Sequence, residues 1–298
     1  MKIIITGGSG FVGQNLSKYL IDQGNVIDAL SLRNESWTLD KSADAIIHLA
    51  GKAHDTSNTA DAESYFSINR DLTITLFNRF VATDIRDFFY FSSVKAAADS
   101  IDGILEEDYQ ANPHTPYGKS KLEAEIFLLK QILPARKRLF IVRPCMIHGP
   151  GNKGNLNLLY KVVEKGLPWP LASFENQRSF LSIDNLNFLI LKMIETPQIS
   201  SGIYNFADDD HLSTNHLVQI IANVSGKKEK LWKLNSNFIS GIARAGDFFR
   251  LPLNSERLKK LTESYMVSNT KIKMALGLSR LPVTAKQGLE KTIKSFQK

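Results

Sequence analysis

Ile3-Ile4-Ile5-Thr6-Gly7-Gly8-Ser9-Gly10-Phe11-Val12-Gly13, at the start of the chain, decides how the rest is read. Three β-branched apolar residues in a row suit a strand buried on both faces, and the glycines interrupt it before the amphipathic helix of Leu16, Leu20 and Ile21. Gly7 permits a tight turn, Gly10 lets the backbone approach a pyrophosphate at a helix N-terminus, and Gly13 lets the helix pack close to the sheet. With Phe11 and Val12 between them, these are the candidate dinucleotide-binding residues at this end. A glycine run of this kind also fits an ordinary strand-to-helix turn, so its weight depends on the pattern of the remaining chain.

That pattern is an alternation. Short apolar runs at Ile3 to Thr6, Val26 to Leu30, Ala45 to Leu49, Phe88 to Phe91 and Leu139 to Val142 read as parallel strands. Helical patterns at Gly13 to Gln23, about Ala62 to Thr83 and Pro116 to Leu133 separate them, which predicts an α/β fold with a doubly wound parallel sheet. The stretch between Leu30 and Ala45 is too short for a helix and a strand, so a reduced third strand is expected at Ser36-Trp37-Thr38-Leu39. Beyond residue 150 the pattern becomes irregular, with strands near Phe180 to Ser182 and Tyr204 to Phe206 and helices near Asp184 and Ser213. Residues 151–298 are expected to form mainly a smaller C-terminal α/β lobe, with the elements near 178–206 open to rejoining the first domain, 1–150.

A second motif, Tyr117-Gly118-Lys119-Ser120-Lys121, places Tyr and Lys at i and i+4 on one helix face. An ammonium there can stabilise a phenolate and lower a pKa that starts near ~10. The plainer reading is a half-buried Tyr beside a solvated Lys. Composition narrows the classes further: the net charge of +7 invites anionic partners, but Arg136-Lys137-Arg138, Lys227-Lys228-Glu229-Lys230 and Lys259-Lys260 are separate runs without an aromatic platform, so nucleic acid is not expected. Six scattered histidines argue against a metal site. Cys145, the single cysteine, suits a reducing compartment and reads as a packed thiol. Met1-Lys2-Ile3 runs straight into the first strand without a signal-peptide pattern, and apolar runs such as Phe188 to Leu191 are too short to span a bilayer. A soluble, cytoplasmic protein is expected.

Together these landmarks resemble the extended short-chain dehydrogenase/reductase superfamily, in its sugar-nucleotide epimerase/reductase branch. The match runs nearly end to end: the glycine turn, Ile47-His48-Leu49-Ala50-Gly51, Asn69 opening a long helix, Phe91-Ser92-Ser93, the Tyr117/Lys121 pair, Val142-Arg143-Pro144 with His148-Gly149-Pro150-Gly151, Gln177-Arg178-Ser179-Phe180 with Asp184, Tyr204-Asn205, and Ala275-Leu276-Gly277 with Pro282. The resemblance implies a Rossmann-type NAD(P)-binding domain, with Tyr117 as general acid/base, Lys121 holding the nicotinamide ribose and lowering the Tyr117 pKa, and Ser93 hydrogen-bonding the reacting oxygen. Asn69 resembles the family's helix-bending Asn; a helix N-cap is its other reading. Leu49, Ala50, Gly51, Pro144 and His148 fall among the implied cofactor contacts, His148 standing where relatives carry a Tyr beside the nicotinamide. The position that is acidic in NAD-selective relatives is Ser31 here, with Arg33 two residues on, which favours NADP over NAD.

Departures from the family pattern narrow the reaction. Dehydratases of the family follow the catalytic Ser/Thr with Asp-Glu, and its 3,5-epimerase/reductases place Cys there; Val94-Lys95 follows Ser93 and argues against both. Gly149 to Asn155, Gly166 to Leu171 and Asn176 to Ser179 are similar to a bacterial polysaccharide-biosynthesis subgroup. The resemblance thus implies reduction of a nucleotide-linked 4-keto sugar, foremost a UDP-4-keto-6-deoxy-N-acetylhexosamine. A UDP-sugar 4-epimerase with retained NAD is the alternative, and a non-catalytic dinucleotide sensor is an alternative of another class. Arg178 stands where relatives bind the nucleotide diphosphate, and Asn155 and Trp169 are candidates for uracil or ribose, Trp169 also reading as a lobe anchor. A homodimer built from the Asn69 and Tyr117 helices is also implied. The tract from Phe238 to Phe249 is amphipathic at helical spacing, which reads as a lobe helix or as a membrane-surface contact.

Overall fold

Ile3, Ile4 and Ile5 expose no surface, and neither do Ile46, Ile47, Phe88, Phe89 and Phe140 on the neighbouring strands. Such runs are stable only in a sheet covered by helices on both faces, and that is the architecture they build. A computed structural model describes residues 1–33, 36–52, 61–152, 154–249 and 254–297. The chain opens with β1 (Lys2–Thr6), α1 (Phe11–Asp22), β2 (Val26–Leu30) and β3 (Ala45–His48). α2 (Ala62–Phe66) passes through a π turn at Ser67–Asp71 into α3 (Leu72–Val81), followed by β4 (Asp87–Phe91), β5 (Ile104–Leu105), α4 (Pro116–Leu129), β6 (Arg138–Pro144) and β7 (Met146–His148). The second half holds α5 (Asn155–Glu164), β8 (Arg178–Ser182), α6 (Ile183–Glu195), β9 (Gly202–Phe206), β10 (His211–Leu212), α7 (Thr214–Val224), α8 (Ser236–Phe249), α9 (Ser255–Thr262), β11 (Met266–Val267), α10 (Thr270–Leu276) and α11 (Ala285–Phe296).

The central sheet has six parallel strands in the order β2-β1-β3-β4-β6-β9. One core lies between the sheet and α1 and α6, around Leu16, Leu20, Leu186 and Ile190; the other lies under α3 and α4, around Phe77, Phe80 and Leu128. The later elements build their own apolar cluster from Trp169, Leu171, Phe180, Leu217, Ile221 and Leu289. A smaller sheet, β10-β8-β7, connects this cluster to the main body, and β11 pairs with β5 from the loop beyond β4.

The expected strand at Ser36 to Leu39 does not form. β3 pairs directly with β1, which leaves β2 on the edge with Val26 exposed. Trp37 finds its partners elsewhere: it is buried with Phe77 and Phe80, and the Arg79 guanidinium lies 3.9 Å from its ring centroid. Its apolar residues, Trp37 and Leu39, pack into the core under α3 instead of extending the sheet. Asn69 likewise does not open a helix; it sits inside the π turn of a continuous helical run. The wider turn aims its amide inward, as π turns at functional positions often do.

Candidate active site

The glycine turn owes its shape to contacts that tolerate no side chain. Gly7 has φ +70°, and a Cβ on it would lie 2.6 Å from the Ala50 nitrogen; one on Gly13 would lie 2.4 Å from the Gly7 oxygen. The loop after β3 and the start of α1 therefore touch the turn from two sides. Gly10 is the α1 N-cap, no side chain caps it, and the first turn carries no acidic residue. Its amides and positive dipole end are open to an anion, as a pyrophosphate requires. Phe11 and Val12 are partly buried against the core, and Gly149 packs so closely that a Cβ would lie 3.3 Å from the Phe11 ring.

Register puts the next group beside this turn. Thr6 pairs with Leu30, so Gly7 and Ser31 leave the same sheet edge side by side; Ser31 and Arg33 are both exposed there. On the other flank Thr6 pairs with His48, followed by Leu49, Ala50 and Gly51. Thr6 Oγ1 accepts from the Ala50 N–H at 3.2 Å and lies 2.7 Å from His48 Nδ1. His48 Nε2 lies 3.0 Å from Thr73 Oγ1, whose proton goes to the Asn69 carbonyl at 2.8 Å. Thr73 can thus only accept from His48, which fixes the neutral Nε2–H tautomer, with Thr6 donating to Nδ1. Burial, helped by the nearby Lys121 charge, holds the His48 pKa down at about 3, in agreement with a permanently neutral ring.

The hydroxyl and amine groups gather at the end of β4. Ser93, nearly buried, caps the short turn Val94–Ala96 by accepting from the Lys95 N–H at 3.2 Å. Thr115 caps α4 with Pro116 in its first turn, and so delivers Tyr117 and Lys121 on one face. Tyr117 stacks edge-on with Tyr65 at 6.2 Å. Burial raises its pKa, and a hydrogen bond with Ser93 partly offsets that rise. The expected lowering by Lys121 is not the governing effect. Lys121 Nζ instead donates to the Phe91 carbonyl at 2.8 Å and lies 4.9 Å from the Tyr90 centroid, and burial brings its own pKa down to about 8. Asn69 completes the group: Oδ1 accepts from Lys52 N–H at 2.8 Å, while Nδ2 donates to Ser120 Oγ at 3.0 Å and the Lys52 carbonyl at 3.1 Å. A Cβ on Gly51 would lie 3.0 Å from Asn69 Oδ1 and 3.2 Å from Lys121 Nζ, so this loop glycine brings the dinucleotide turn and the Tyr117 helix together.

Several candidates are placed differently from what the sequence suggested. His148 is 1% exposed, with Nδ1 2.9 Å from Thr292 Oγ1, Nε2 3.7 Å from Asp208 and its ring edge-on to Phe180. Its partners lie on α11 and after β9, so the packing of the C-terminal half fixes the ring. Trp169 is buried in the lobe cluster and bridges to Leu231. Arg178 is half-buried and held by the carbonyls of Lys260 at 2.7 Å and Glu263 at 3.2 Å, with the Glu263 carboxylate 3.8 Å away. Pro144 is buried at the end of β6, beside Phe206. Asn155 heads α5, and its side chain lies outside the described residues. Burial raises the Cys145 thiol well above its ordinary value, consistent with a packed, unreactive group. No cluster able to hold a metal ion occurs among the described residues.

Two partners escaped the sequence reading. Glu125, one helical turn past Lys121, is buried and meets buried Arg143 through Nε at 3.0 Å and Nη2 at 2.5 Å, while Ser92 donates to the same carboxylate. Its spacing of four from Lys121 was the available signal. Tyr265 donates to the carbonyls of Val94 at 3.1 Å and Ala98 at 2.7 Å, which ties the turn after Ser93 to the C-terminal half. Lys95 Nζ sits 4.1 Å from its ring centroid.

Comparison with known proteins agrees with this arrangement. The chain is 28% identical to a UDP-glucose 4-epimerase of Vibrio cholerae over 99% of this chain and 95% of that protein. It is 23% identical to the N-acetyl-alpha-D-glucosaminyl-diphospho-ditrans,octacis-undecaprenol 4-epimerase of Escherichia coli O157:H7, covering 98% of this chain and 94% of that one. In fold it is similar to the structure of RMD from Pseudomonas aeruginosa complexed with NADPH, with a TM-score of 0.74 at 20% identity and 99% of both chains covered. The model of the NAD dependent epimerase/dehydratase family matches residues 3–207. With the glycine cradle and the Ser93, Tyr117 and Lys121 cluster both in place, the chain belongs to that family, as an NAD(P)-dependent enzyme of the extended short-chain dehydrogenase/reductase type.

Proposed function

We propose that this enzyme reduces the 4-keto group of a UDP-linked 4-keto-6-deoxy-N-acetylhexosamine with NADPH, in surface-polysaccharide biosynthesis. The observation that carries the reading is the Ser93–Tyr117 hydroxyl pair: burial keeps the phenol protonated, which is the form needed to give a proton to an oxygen. When bound, the dinucleotide supplies the hydride. Ser93 and Tyr117, bonded to each other, hold the carbonyl oxygen between them, and Tyr117 protonates it. Lys121, one helical turn beyond Tyr117, holds the ribose and offsets the negative charge that develops on Tyr117. Val94 and Lys95 supply no carboxylate after Ser93, which argues against elimination of water. Ser31 and Arg33, exposed beside the glycine turn, favour a 2′-phosphate, and Arg178 is assigned to the substrate diphosphate by the family resemblance. In this reading residues 1–150 with the elements near 178–206 carry the cofactor, the remainder carries the substrate, and the active form is a cytoplasmic homodimer.

A second reading, 4-epimerisation with retained NAD, is favoured by the two relatives named as 4-epimerases. The same three side chains serve both reactions. Incubation with the 4-keto sugar and NADPH is expected to consume NADPH mole for mole. Inversion at C4 of a UDP-N-acetylhexosamine with no net change in cofactor would sink the reductase reading. For the cofactor, Arg33→Ala is expected to weaken NADPH binding about tenfold and leave NADH binding unchanged; tighter binding of NADH by the unmodified enzyme would overturn the choice.

A further inference from the structure

α8 carries two apolar stripes where a globular body uses one. Ile239, Ala243 and Gly246 are buried, and the first two join the lobe cluster. Phe238, Ile242 and Phe249 recur at helical spacing on a different face and are exposed, Phe249 by 67% and its neighbour Phe248 by 83%. Trp232 and Leu234, in the segment entering the helix, are exposed as well. Scattered exposed hydrophobes are ordinary, but three phenylalanines and an isoleucine on one short helix are not.

The charge of the molecule concentrates in the same stretch. Between Lys227 and Thr262 the sequence holds nine basic residues against three acidic ones, a surplus of six out of the whole chain's seven. Runs that look dispersed along the chain are brought into one region, because α9, bearing Lys259 and Lys260, packs on α8. Lys227, Lys228, Lys230, Lys233 and Arg244 are all exposed. A helix with exposed aromatic residues amid lysine and arginine matches the chemistry of a bilayer interface, where rings enter the headgroup layer and cations meet anionic lipid. A second copy of the same face would bring this surplus against itself, which disfavours self-association. At 14 residues α8 is too short to span, and no described helix is long and apolar enough to cross a membrane.

We propose that the exposed face of α8, with the basic residues around it, docks on an anionic lipid bilayer, seating Phe248 and Phe249 among the headgroups. The proposal is independent of which reaction the active site performs. Flotation of the full chain tests it, using vesicles of phosphatidylcholine with about a third phosphatidylglycerol, against phosphatidylcholine alone. The protein is expected to float with the anionic vesicles at low salt, to stay behind with the neutral ones, and to be released by high salt. Phe248→Ser combined with Phe249→Ser is expected to lower partitioning by about tenfold or more, and Lys227→Glu with Lys228→Glu and Lys233→Glu to abolish it. Circular-dichroism melting of both variants should match the parent, since every substituted side chain is exposed. Equal recovery on neutral and anionic vesicles, or flotation of the phenylalanine variant at the parental level, overturns the proposal. Sedimentation showing a dimer that this variant converts to monomer would also overturn it, by assigning the face to a second copy.

Discussion

Lys121 is a buried cation to which the proposed reaction gives a role, so on that reading Lys121→Met should make the protein inactive and, by relieving the burial, more stable. Lys121 is 5% exposed, its ammonium has one hydrogen bond to the Phe91 carbonyl and the Tyr90 ring beside it, and burial brings its pKa from 10.5 to about 8. That difference corresponds to about 3 kcal/mol of native-state penalty on the charged form. Methionine removes the penalty but forfeits the charge-assisted bond to Phe91, worth about 1.5–3 kcal/mol, leaving a net gain between about 0 and 2 kcal/mol at pH 7. The sign comes from linkage. Below pH 8 both native and unfolded Lys121 are charged and the whole penalty is present. Between about 8 and 10.5 the unfolded chain binds the proton and the native one does not, so parental stability rises with pH through this window. Above 10.5 both are neutral and the penalty is gone. Urea unfolding of parent and variant at pH 7 and near pH 10 reads this directly: the variant's advantage should shrink as pH rises. A variant less stable than the parent by more than about 1 kcal/mol at pH 7, or a difference that does not change with pH, would refute the reasoning.

The same cluster yields three further outcomes. His48, with a pKa of about 3 against 6.5 when unfolded, contributes stability that is complete above pH 6.5 and is lost as pH falls toward 3; about 2 kcal/mol should disappear between pH 6.5 and 5, and denaturant titrations of His48→Gln should lack this slope. Gly13→Ala puts a Cβ 2.4 Å from the Gly7 oxygen and should weaken dinucleotide binding by more than about tenfold in fluorescence titration, whereas Gly24→Ala, with φ +79° and nothing within 4 Å, should cost only about 1 kcal/mol and leave binding intact. Glu125→Ala leaves the Arg143 guanidinium buried without its carboxylate and should cost about 3–5 kcal/mol in urea unfolding, while Glu125→Leu with Arg143→Met should cost much less than the two single substitutions together.

The difference between these groups also explains which parts of the molecule could be read from its sequence. The β1, glycine-turn and α1 unit is dictated by neighbours in the chain: apolar run, forced left-handed turn at Gly7, and a helix start at Gly10. Tyr117 and Lys121 share a helix face by spacing alone, and Ser213 caps α7 with Gly226 just beyond its end for the same local reasons. Ser36 to Leu39 misleads because alternating polar and apolar residues give the same signal whether Trp37 and Leu39 pair in a strand or pack on a helix; Trp37 lies against Arg79 and is buried with Phe77, and nothing in its neighbourhood says so. The partners of His148, Thr292 and Asp208, stand 144 and 60 positions away, and only the docking of α11 brings the hydroxyl to its ring, so the sequence could not show them. Glu125 carries no local mark of burial, because Arg143, which meets it, comes from the end of β6, 18 residues on. The hydroxyls and the amine of the proposed site are therefore placed by local rules, while the groups packed around them are placed by the docking of distant elements. That division predicts where a sequence reading of this site should fail: not at Ser93, Tyr117 or Lys121, but at the buried partners Glu125, Arg143, His48 and Tyr265, whose substitution should alter pH dependence and stability while every catalytic side chain remains in place.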